Sequence, residues 1–488
     1  MRYLLFLVAM LVQTSLVAQF RVKIVDAATG EAVPYANINV ADSENMISNA
    51  DGYFNIPATF DKDETPVTIS YLGYEPKRTT VANLRSDNVV RLVVAQYEIE
   101  AVETTRPEPN ALMAEVRKAL KENYRPQKNV KNRIFYRKVG AYMPKQIEFE
   151  FTKSTGFSKK ALADANKEIS TIIDKAIKPG HKDYVDVLAD QFKGGGPSKL
   201  SVIKGVRFQD ERFSTDTDEM GKSFVNIILK HLDSTKYYRV KSGLFGSRDT
   251  ISLRKDFTNK KKPKSDAITK LKSNLDVFHY ENTPTNPKEF EFIHDYEIYK
   301  YTYEGAAFTA AGELVYIIKF APNKRRALYS GKMYVSAADF GLVRIDYNLM
   351  PGKKVEGMNL KLILGVKFAQ NVSKGTLLYA REPGDPYHLQ YASVESGSYL
   401  YINRPVKFIE LTDDERDVVA FDFKIEGDSY EKVELLNMSQ EDLSAAGYAD
   451  AREADFKYVD IKRYDPNIWK EYSAIEPVEE MKRLQIVD

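Results

Sequence analysis

The sequence predicts a mainly β protein with some α-helix, in which a small β-sandwich precedes an α+β domain. Three observations support this fold class. The 31 tyrosines and 25 phenylalanines favour pleated, half-buried surfaces. Short alternating segments between turn residues fill the first hundred positions. A two-residue hydrophobic period returns from about Glu289, which predicts a large curved antiparallel sheet covered by helices.

The first residues have the pattern of an export signal. A positive start at Arg2 precedes an apolar stretch over 3–12, and Ala18 offers a small residue before Gln19. The apolar stretch is shorter than the roughly 20 residues of a spanning helix, so we favour a cleaved signal peptide at 1–18 over a retained anchor. The predicted location is the periplasm or an association with the outer membrane, with an extracellular location less favoured.

The amino-acid composition argues against several classes of function. The 71 basic and 69 acidic residues nearly cancel to a net charge of +2, so the chain lacks the basic footprint of a nucleic-acid-binding protein. Because there is no cysteine, disulfides, a lipidated cysteine, thiolate metal sites and cysteine nucleophiles are all excluded.

Strand signals follow one another closely between residues 19 and 105, the predicted N-terminal domain. Turn residues at 26–30 and 49–52, and Gly73 at a bend, separate the segments. The predicted strands are 20–25, 34–40, 53–56, 67–72 and 89–94. Short strands at this spacing are typical of an antiparallel sandwich.

Three motifs in this domain resemble one known family. They are Asp-x-x-Thr-Gly-Glu-x-Val-Pro-Tyr-Ala-Asn-Ile at 26–38, Asp-Gly-Tyr-Phe at 51–54 and Ile-Ser-Tyr-Leu-Gly-Tyr at 69–74. In these residues the domain resembles the carboxypeptidase-like regulatory domains. The resemblance implies a transthyretin-like β-sandwich that is itself non-catalytic, as it is beside metallocarboxypeptidases. It also implies a cell-envelope address, because such domains begin TonB-dependent receptors and other envelope proteins of Gram-negative bacteria.

Residues 106–288 are predicted to be a linker followed by a helical and mixed segment. Pro107 and Pro109 mark the linker. A helix is predicted over 111–123, with Asn110 as its cap, and a second over 159–177. The apolar stripe of each helix predicts a face packed against a core rather than a partner site.

Residues 289–488 are predicted to be an antiparallel β-rich domain that forms one unit with 111–288. Alternating runs occur at 314–320, 343–349, 360–368 and 419–425. One face of such strands is buried, and the two predicted helices are the expected cover.

Parts of this region resemble a group of uncharacterised bacterial envelope proteins that carry the same kind of sandwich in front. The similar segments are 112–137, 315–320, 331–345 and 465–472. A sheet with a helical cover is also similar to the half-barrels that carry lipoprotein acyl chains, which suggests a hydrophobic ligand.

The histidines were considered as metal ligands. His294-x-x-Glu297 has the spacing of two zinc ligands in metallocarboxypeptidases, and His388 lies downstream. However, 290–296 alternates like a strand, which would put His294 and Glu297 on opposite faces, so a strand-face histidine is the favoured interpretation. The remaining histidines have no paired spacing; they are His181, His231 and His279.

Three polar segments are interpreted as loops. Gly194–Pro197 lacks the lysine and hydroxyl residue of a phosphate loop, which favours a flexible connection. The basic run at 260–264 is interpreted as a solvated loop, with anionic headgroups as the alternative. Asp216, Asp218 and Glu219 lack the glycine and terminal glutamate of a calcium loop.

These observations predict no catalytic, cofactor-binding or metal-binding residue, and no cofactor. The expected function is that of a non-catalytic cell-envelope protein that binds a hydrophobic ligand or a protein partner, with the sandwich as a docking or stabilising module. The alternatives are a zinc metallopeptidase-like hydrolase and a structural accessory of an outer-membrane complex. No nucleic-acid partner and no transmembrane span in the mature chain are expected.

Overall fold

The structure is a computed structural model. It describes residues 20–95, 107–126, 129–155, 158–176, 181–208, 237–242, 245–246, 251–252, 267–411 and 418–484. By its contacts the chain divides into two compact units. The first unit is Met1–Tyr97 with Tyr464–Arg483, and the second is Glu98–Arg463 with Leu484–Asp488.

The first unit contains the predicted β-sandwich. Its strands are β1 (Arg21–Asp26), β2 (Asn37–Val40), β3 (Glu44–Ile47), β4 (Tyr53–Asn55), β5 (Pro66–Ser70), β6 (Lys77–Thr80) and β7 (Val89–Leu92). They form a three-stranded sheet in the order β4-β1-β7 and a four-stranded sheet in the order β3-β2-β5-β6. Between β6 and β7 lies a short helix, α1 (Val81–Ser86). The facing side chains, such as Ile24, Ile38, Phe54 and Ile69, are fully or almost fully buried and form one core.

The motif residue Asp26 ties two of the sequence motifs together. Its carboxylate accepts hydrogen bonds from Ala28 N (2.8 Å), Thr29 N (2.7 Å) and Tyr74 Oη (2.8 Å). The bond from the Thr29 amide and the one from Tyr74 lower the pKa of Asp26, while burial and the Asp26 charge raise the pKa of Tyr74 to about 12. The turn after β1 and the segment that follows β5 are therefore held together by hydrogen bonds to one carboxylate.

The segment Tyr464–Arg483 belongs to this first unit. Trp469, Ile475 and Met481 are buried in it, and Ala58 N donates to Lys470 O (2.9 Å). Sequence analysis had assigned the segment to the β-rich domain. The reason for the difference is that its apolar residues are packed by side chains far away in sequence, which no local pattern reveals.

A buried carboxylate holds this segment to the sandwich. The side chain of Glu476 is 2% exposed and lies 3.3 Å from Arg21 Nε. It also contacts Asn55 Nδ2 and Lys482 Nζ. A carboxylate removed from water is stabilised only when such partners surround it.

The second unit is built on a 15-stranded sheet. Its strands are β8 (Val130–Ser154), β9 (His181–Lys193), β10 (Lys199–Phe208), β11 (Tyr237–Ser242), β12 (Phe245–Gly246), β13 (Ile251–Ser252), β14 (Tyr299–Phe308), β15 (Leu314–Pro322), β16 (Tyr329–Ser336), β17 (Leu342–Leu349), β18 (Glu356–Leu360), β19 (Val366–Ala380), β20 (His388–Glu410), β21 (Val418–Asp442) and β22 (Val459–Asp460).

The main path of the sheet is β14-β15-β16-β17-β19-β20-β21-β8-β9-β10-β22, and β11 and β18 join it at β20 and β19. Every pair on the path is antiparallel except β10 with β22, which is parallel. The predicted mainly β fold is therefore confirmed. The interval 106–288, expected to be helical and mixed, supplies three long strands of this sheet.

Helices pack against the sheet or connect its strands. They are α2 (Pro109–Asn123), α3 (Lys159–Ala176), α4 (Ala267–Glu281), α5 (Glu291–His294), α6 (Lys361–Leu364) and α7 (Ala445–Asp450), while α8 (Glu479–Lys482) lies in the first unit. Helices α2 and α4 pack with β8, β9 and β14 to β19 in the largest core cluster. Helix α4 was not predicted.

Helix α2 begins earlier than predicted. Its cap is Glu108, whose carboxylate accepts from Asn110 N (3.0 Å) and Ala111 N (2.6 Å), so the expected cap at Asn110 was wrong. At its other end Tyr124 Oη donates to Leu342 O (2.8 Å) and accepts from Leu342 N (2.9 Å). These bonds fix α2 on strand β17.

Helix α3 covers a separate aromatic cluster at the far end of the long strands. Ala165 and Ile169 pack there against Phe149, Phe151 and Phe421. Asn166 pairs its side chain with both backbone groups of Phe151, at 2.8 and 3.1 Å. The predicted stripe of this helix is therefore a core face, as expected.

The run at 360–368 departs from its prediction as a strand. Strand β18 ends at Leu360, one helical turn follows, and β19 begins at Val366. Leu362 is 100% exposed, although strict alternation would bury it. The change of direction at Gly365, whose φ is +63°, breaks the period.

The face of the sheet away from the helices is also buried at its centre. There Arg137 and Asp186 form a two-bonded ion pair at 2.8 and 2.7 Å, with side chains only 1% and 2% exposed. Burial alone would lower the pKa of Arg137, but Asp186 and Glu434 outweigh it, so this pKa lies above its ordinary value.

In the part of the chain that the structure describes, no helix combines the length and the apolar character needed to cross a bilayer.

We expect Glu476→Ala to destabilise the first unit by about 3 kcal/mol, because Arg21 and Lys482 lose their shared carboxylate. Trp469 is the only tryptophan of the chain and is buried in this unit, so its fluorescence during urea unfolding reports the change. Glu479→Ala is the matched control. The side chain of Glu479 pairs with the same arginine but is 48% exposed, so its removal is expected to lower the free energy of unfolding by less than about 1 kcal/mol. Equal effects would contradict the assigned role of Glu476.

We expect Asp186→Ala to destabilise the second unit by about 3–5 kcal/mol, because it leaves the Arg137 charge buried without its partner. Circular dichroism of the β-sheet during urea unfolding measures the loss. The control is Asp460→Ala, which removes the 60% exposed partner of Arg207 and is expected to change stability by less than about 1 kcal/mol. A small effect of Asp186→Ala would show that the pair is hydrated.

Candidate functional site

A row of carboxamide side chains crosses three neighbouring strands on the helix-covered face of the large sheet. Asn132 on β8 lies opposite Gln440 on β21 and opposite Gln191 on β9. Residues in direct register share a face, with Cβ atoms about 4.5–5.5 Å apart. The face is set by Ile134, which follows Asn132 at period two and belongs to the core beneath α2 and α4.

A β-bulge adds a fourth carboxamide. The register of β21 with β8 shifts between Asn437 and Ser439, so Asn437 lies opposite Ile134 and Gln440 opposite Asn132. Without the extra residue, two side chains three positions apart would point to opposite faces. We call these four residues, Asn132, Gln191, Asn437 and Gln440, the carboxamide cluster.

Three oxygen atoms of the cluster are buried without a hydrogen-bond donor among the described residues. They are Asn132 Oδ1, Asn437 Oδ1 and Gln440 Oε1. Asn132 and Asn437 are only 4% and 7% exposed. An unpaired buried acceptor costs about 1–3 kcal/mol, so these oxygens are expected to have a donor other than the described residues, such as water or a ligand.

Helix α4 contributes a histidine to the same place. His279 Nε2 lies 3.2 Å from Gln191 Oε1, and since a carbonyl oxygen only accepts, the imidazole donates from Nε2. The neighbouring Thr283 hydroxyl donates to His279 O (2.7 Å), and Asn282 donates to Phe278 O (2.8 Å). These bonds fix the last turn of α4, and with it the ring of His279.

Two further basic groups interact electrostatically with His279. Burial, then the charge of Lys193, lowers the pKa of His388 to about 4, against a smaller opposing effect of Asp385. Burial, followed by Lys193 and His388, holds the pKa of His279 well below its ordinary value. Burial lowers the pKa of Lys193 to about 8, with Asp276 acting in the opposite direction. At neutral pH both imidazoles are therefore uncharged, and Lys193 carries the positive charge.

Apolar side chains surround these polar groups. Leu275 and Phe278 of α4 and Tyr379 of β19 are buried in the same core, and Tyr379 Oη donates to Asn282 O (2.9 Å). Gln440, Lys193 and His279 are half-buried, so the polar groups extend from the core to the surface. Apolar walls with a few orienting polar groups are the usual composition of a ligand site.

The glycine loop between β9 and β10 borders this region and is held by specific contacts. Gly195 N donates to Asn129 Oδ1 (3.1 Å), and Tyr448 Oη donates to Pro197 O. A Cβ on Gly194 would lie 2.4 Å from Asn129 Oδ1. Close approach explains Gly194 and also Gly196, where a Cβ would lie 2.8 Å from Tyr448 Oη, whereas Gly195 has open space around it. The flexible connection stays a prediction.

The residues of the zinc alternative, His294 and Glu297, do not converge, and the favoured strand-face position of His294 was also wrong. His294 and Glu297 lie in a helical turn and a 3₁₀ turn rather than in a strand, because the adjacent Phe292 and Ile293 are both buried. His294 Nε2 donates to Pro284 O (2.9 Å), and Glu297 is exposed. Of the histidines considered, the structure brings together His279 and His388. Among the described residues no group of three His, Cys, Asp or Glu side chains could hold a metal ion.

Several segments considered earlier lie outside the described residues. They are the basic run at 260–264, His231, and the acidic group of Asp216, Asp218 and Glu219. The backbone of His181 begins strand β9, but its side chain is not described.

Sequence reasoning missed the carboxamide cluster. A local signal was present, since Asn132 continues the period of Ile134 and Tyr136, and Gln191 that of Val187 and Ala189. A polar residue on an apolar stripe is such a signal. The cluster itself depends on the pairing of β8 with β21, whose residues lie more than 300 positions apart, and the local hydrophobic period gives no information about that pairing.

Comparison with known proteins identifies the N-terminal domain. Residues 22–104 match the family model of the CarboxypepD_reg-like domain, which confirms the predicted resemblance for this part of the chain. The curated proteins contain no match to the chain.

One solved structure aligns with 87% of this chain and 98% of its own length, at 9% identity and a TM-score of 0.12. That protein, from Bacteroides fragilis NCTC 9343, is provisionally described as membrane-associated and of unknown function. At this TM-score the likeness carries no argument.

We expect the stability of the second unit to fall as the pH drops from about 6.5 to about 4. The unfolded chain binds protons at His279 and His388 near pH 6.5, whereas the folded protein does not protonate His388 until about pH 4. Urea unfolding across this range measures the slope. His388→Gln removes one of these titrations and should flatten the slope; an unchanged slope would contradict the assignment.

Proposed function

We propose that this chain, which carries a CarboxypepD_reg-like domain at its N-terminus, is a non-catalytic binding protein of the cell envelope. The sandwich is its docking or stabilising module, and the second unit holds a ligand at the carboxamide cluster. The three buried oxygens that lack a donor among the described residues carry this proposal.

The envelope location is supported by the sequence. The pattern of residues 1–18 is that of a cleaved signal peptide, and the absence of cysteine suits a chain that passes through an oxidising compartment without forming disulfides. Domains of the same kind occur at the start of envelope proteins, as the family resemblance implies.

The chemistry of the site defines the ligand class. A carboxamide carries an acceptor and two donors, and the neutral imidazole of His279, whose Nε2–H is bonded to Gln191 Oε1, offers Nδ1 as an acceptor. A hydroxyl group both donates and accepts, so hydroxyl-bearing molecules match this set. The buried Leu275 and Phe278 beside it favour a ligand with an apolar part as well. The sequence leaves open a hydrophobic ligand and a protein partner, and the chemistry of this site favours the ligand. The ligand that fits the site has a polar, hydroxyl-bearing end in addition to its hydrophobic part.

The test uses the double variant Asn132→Leu/Asn437→Leu in the full chain. Leucine branches at the same carbon and needs no hydrogen bond but is larger, so the gain from removing the unpaired oxygens is set against tighter packing, and the ligand-free variant should stay within about 2 kcal/mol of the wild type in urea. Mass spectrometry of small molecules released from the purified wild-type protein should show a hydroxyl-bearing compound, and the double variant should lose it.

The matched control is Gln146→Leu, which changes a carboxamide at the other end of strand β8 and should retain the compound. A double variant that is destabilised by more than about 2 kcal/mol would show that the carboxamides are already paired in the protein. A wild-type protein that releases no such compound, and gains no thermal stability from sugars or amino alcohols, would refute ligand binding at this site.

A further inference from the structure

The turn between β18 and β19 exposes two large apolar side chains. Leu362 is 100% exposed and its neighbour Ile363 is 71% exposed, while Met358 on β18 is 45% exposed. Single exposed leucines are common on protein surfaces, but adjacent and almost fully exposed leucine and isoleucine at the end of a hairpin are a contiguous apolar feature. We call Lys361–Leu364 the apolar turn.

The apolar turn is fixed by backbone contacts. Gly365 N donates to Lys361 O (3.1 Å), and Asn403 N donates to Gly365 O (2.8 Å). A Cβ at Gly365 would lie 2.0 Å from Asn403 O, so only glycine fits there. The exposed pair is thus presented on a defined scaffold, which lowers the entropy lost when it binds.

An arginine fastens the turn to the next strand of the sheet. Arg404 Nη1 donates to Leu364 O (2.6 Å), while its Nε and Nη2 donate to Ser242 Oγ (2.8 Å) and Ser242 O (2.7 Å). The guanidinium therefore bridges the apolar turn and strand β11.

Lysines surround the turn. Lys361 Nζ lies 4.0 Å from the ring centroid of Tyr401, and Lys367 Nζ lies 5.1 Å from that of Tyr399. On β11, Lys241 is in direct register with Lys407 of β20. None of these four lysines forms an ion pair with a described residue. The nearby Glu426 accepts from Tyr399 Oη (2.9 Å), and Glu356 is paired with Lys288 at 3.5 Å.

We propose that the apolar turn is a membrane-contact site that inserts Leu362 and Ile363 into the surface of a bilayer containing anionic lipids. Apolar side chains enter the boundary between headgroups and acyl chains, and lysines around them attract anionic headgroups while their stems remain against apolar surface. The charge and the apolar tip together favour a lipid surface, since a protein groove would cover the tip without needing four lysines that have no ion pair among the described residues. This inference does not depend on ligand binding at the carboxamide cluster.

Co-sedimentation of the full mature chain with vesicles tests the proposal. We expect binding to phosphatidylethanolamine mixed with phosphatidylglycerol, weaker binding to phosphatidylcholine alone, and a decrease at high salt. Leu362→Ser/Ile363→Ser should weaken binding to the anionic vesicles about tenfold or more, because two apolar side chains lose their burial. Lys361→Glu/Lys367→Glu should weaken it at low salt.

Val459→Ser is the matched control, since this apolar side chain is 48% exposed on β22, and its substitution should leave vesicle binding unchanged. Thermal unfolding of all variants should match that of the wild type because the changed side chains are exposed. The proposal is overturned if anionic vesicles bind no better than neutral ones, if the double serine variant binds as well as wild type, or if the turn variants impair capture of an envelope protein but not of vesicles.

Discussion

The ladder of hydrogen bonds between β20, β21 and β8 determines the arrangement of the second unit. These strands pair side by side from Tyr391 with Leu436 to Ile409 with Val418, and from Val419 with Ser154 to Asp442 with Val130. One end of the ladder carries the aromatic cluster beneath α3, and the other carries the carboxamide cluster beneath α4. Strand β19 joins the same ladder at Val366, directly beside the apolar turn. Each feature with functional interest is therefore attached to one rigid scaffold.

Two kinds of buried polar group occur on this scaffold, and they have different consequences. Arg137 and Asp186 satisfy each other through two hydrogen bonds within the chain, so they stabilise the fold without an outside molecule. The carboxamide oxygens of Asn132 and Asn437 have no such donor among the described residues. Since buried acceptors in folded proteins are nearly always paired, these oxygens differ from the ion pair in needing a donor other than the described residues, such as a water molecule.

The sequence predicted best what local chemistry determines. The sandwich motifs at 26–38 and 69–74 can be recognised in the sequence because their residues form local turns. Asp26 accepts a hydrogen bond from Thr29 within its own turn, and one further hydrogen bond joins it to Tyr74. The helix over 159–177 was predicted within one residue, because its stripe and its stop signals are local. By contrast, the sequence of 360–368 keeps a two-residue hydrophobic period, although the structure has a helical turn there. The turn depends on the close contact of Gly365 with Asn403, which the period does not reveal. The carboxamide cluster and the position of Tyr464–Arg483 depend on partners hundreds of residues away, which periodicity does not encode.

The attachment of Tyr464–Arg483 to the sandwich also bears on biosynthesis. Arg21 and Asn55 leave the ribosome long before Glu476, so the first unit remains incomplete until the segment Tyr464–Arg483 has been synthesised. Its assembly is therefore coupled to the synthesis of that segment. Loss of this segment through premature termination or proteolysis would lower the stability of the sandwich, which is the domain that is synthesised first.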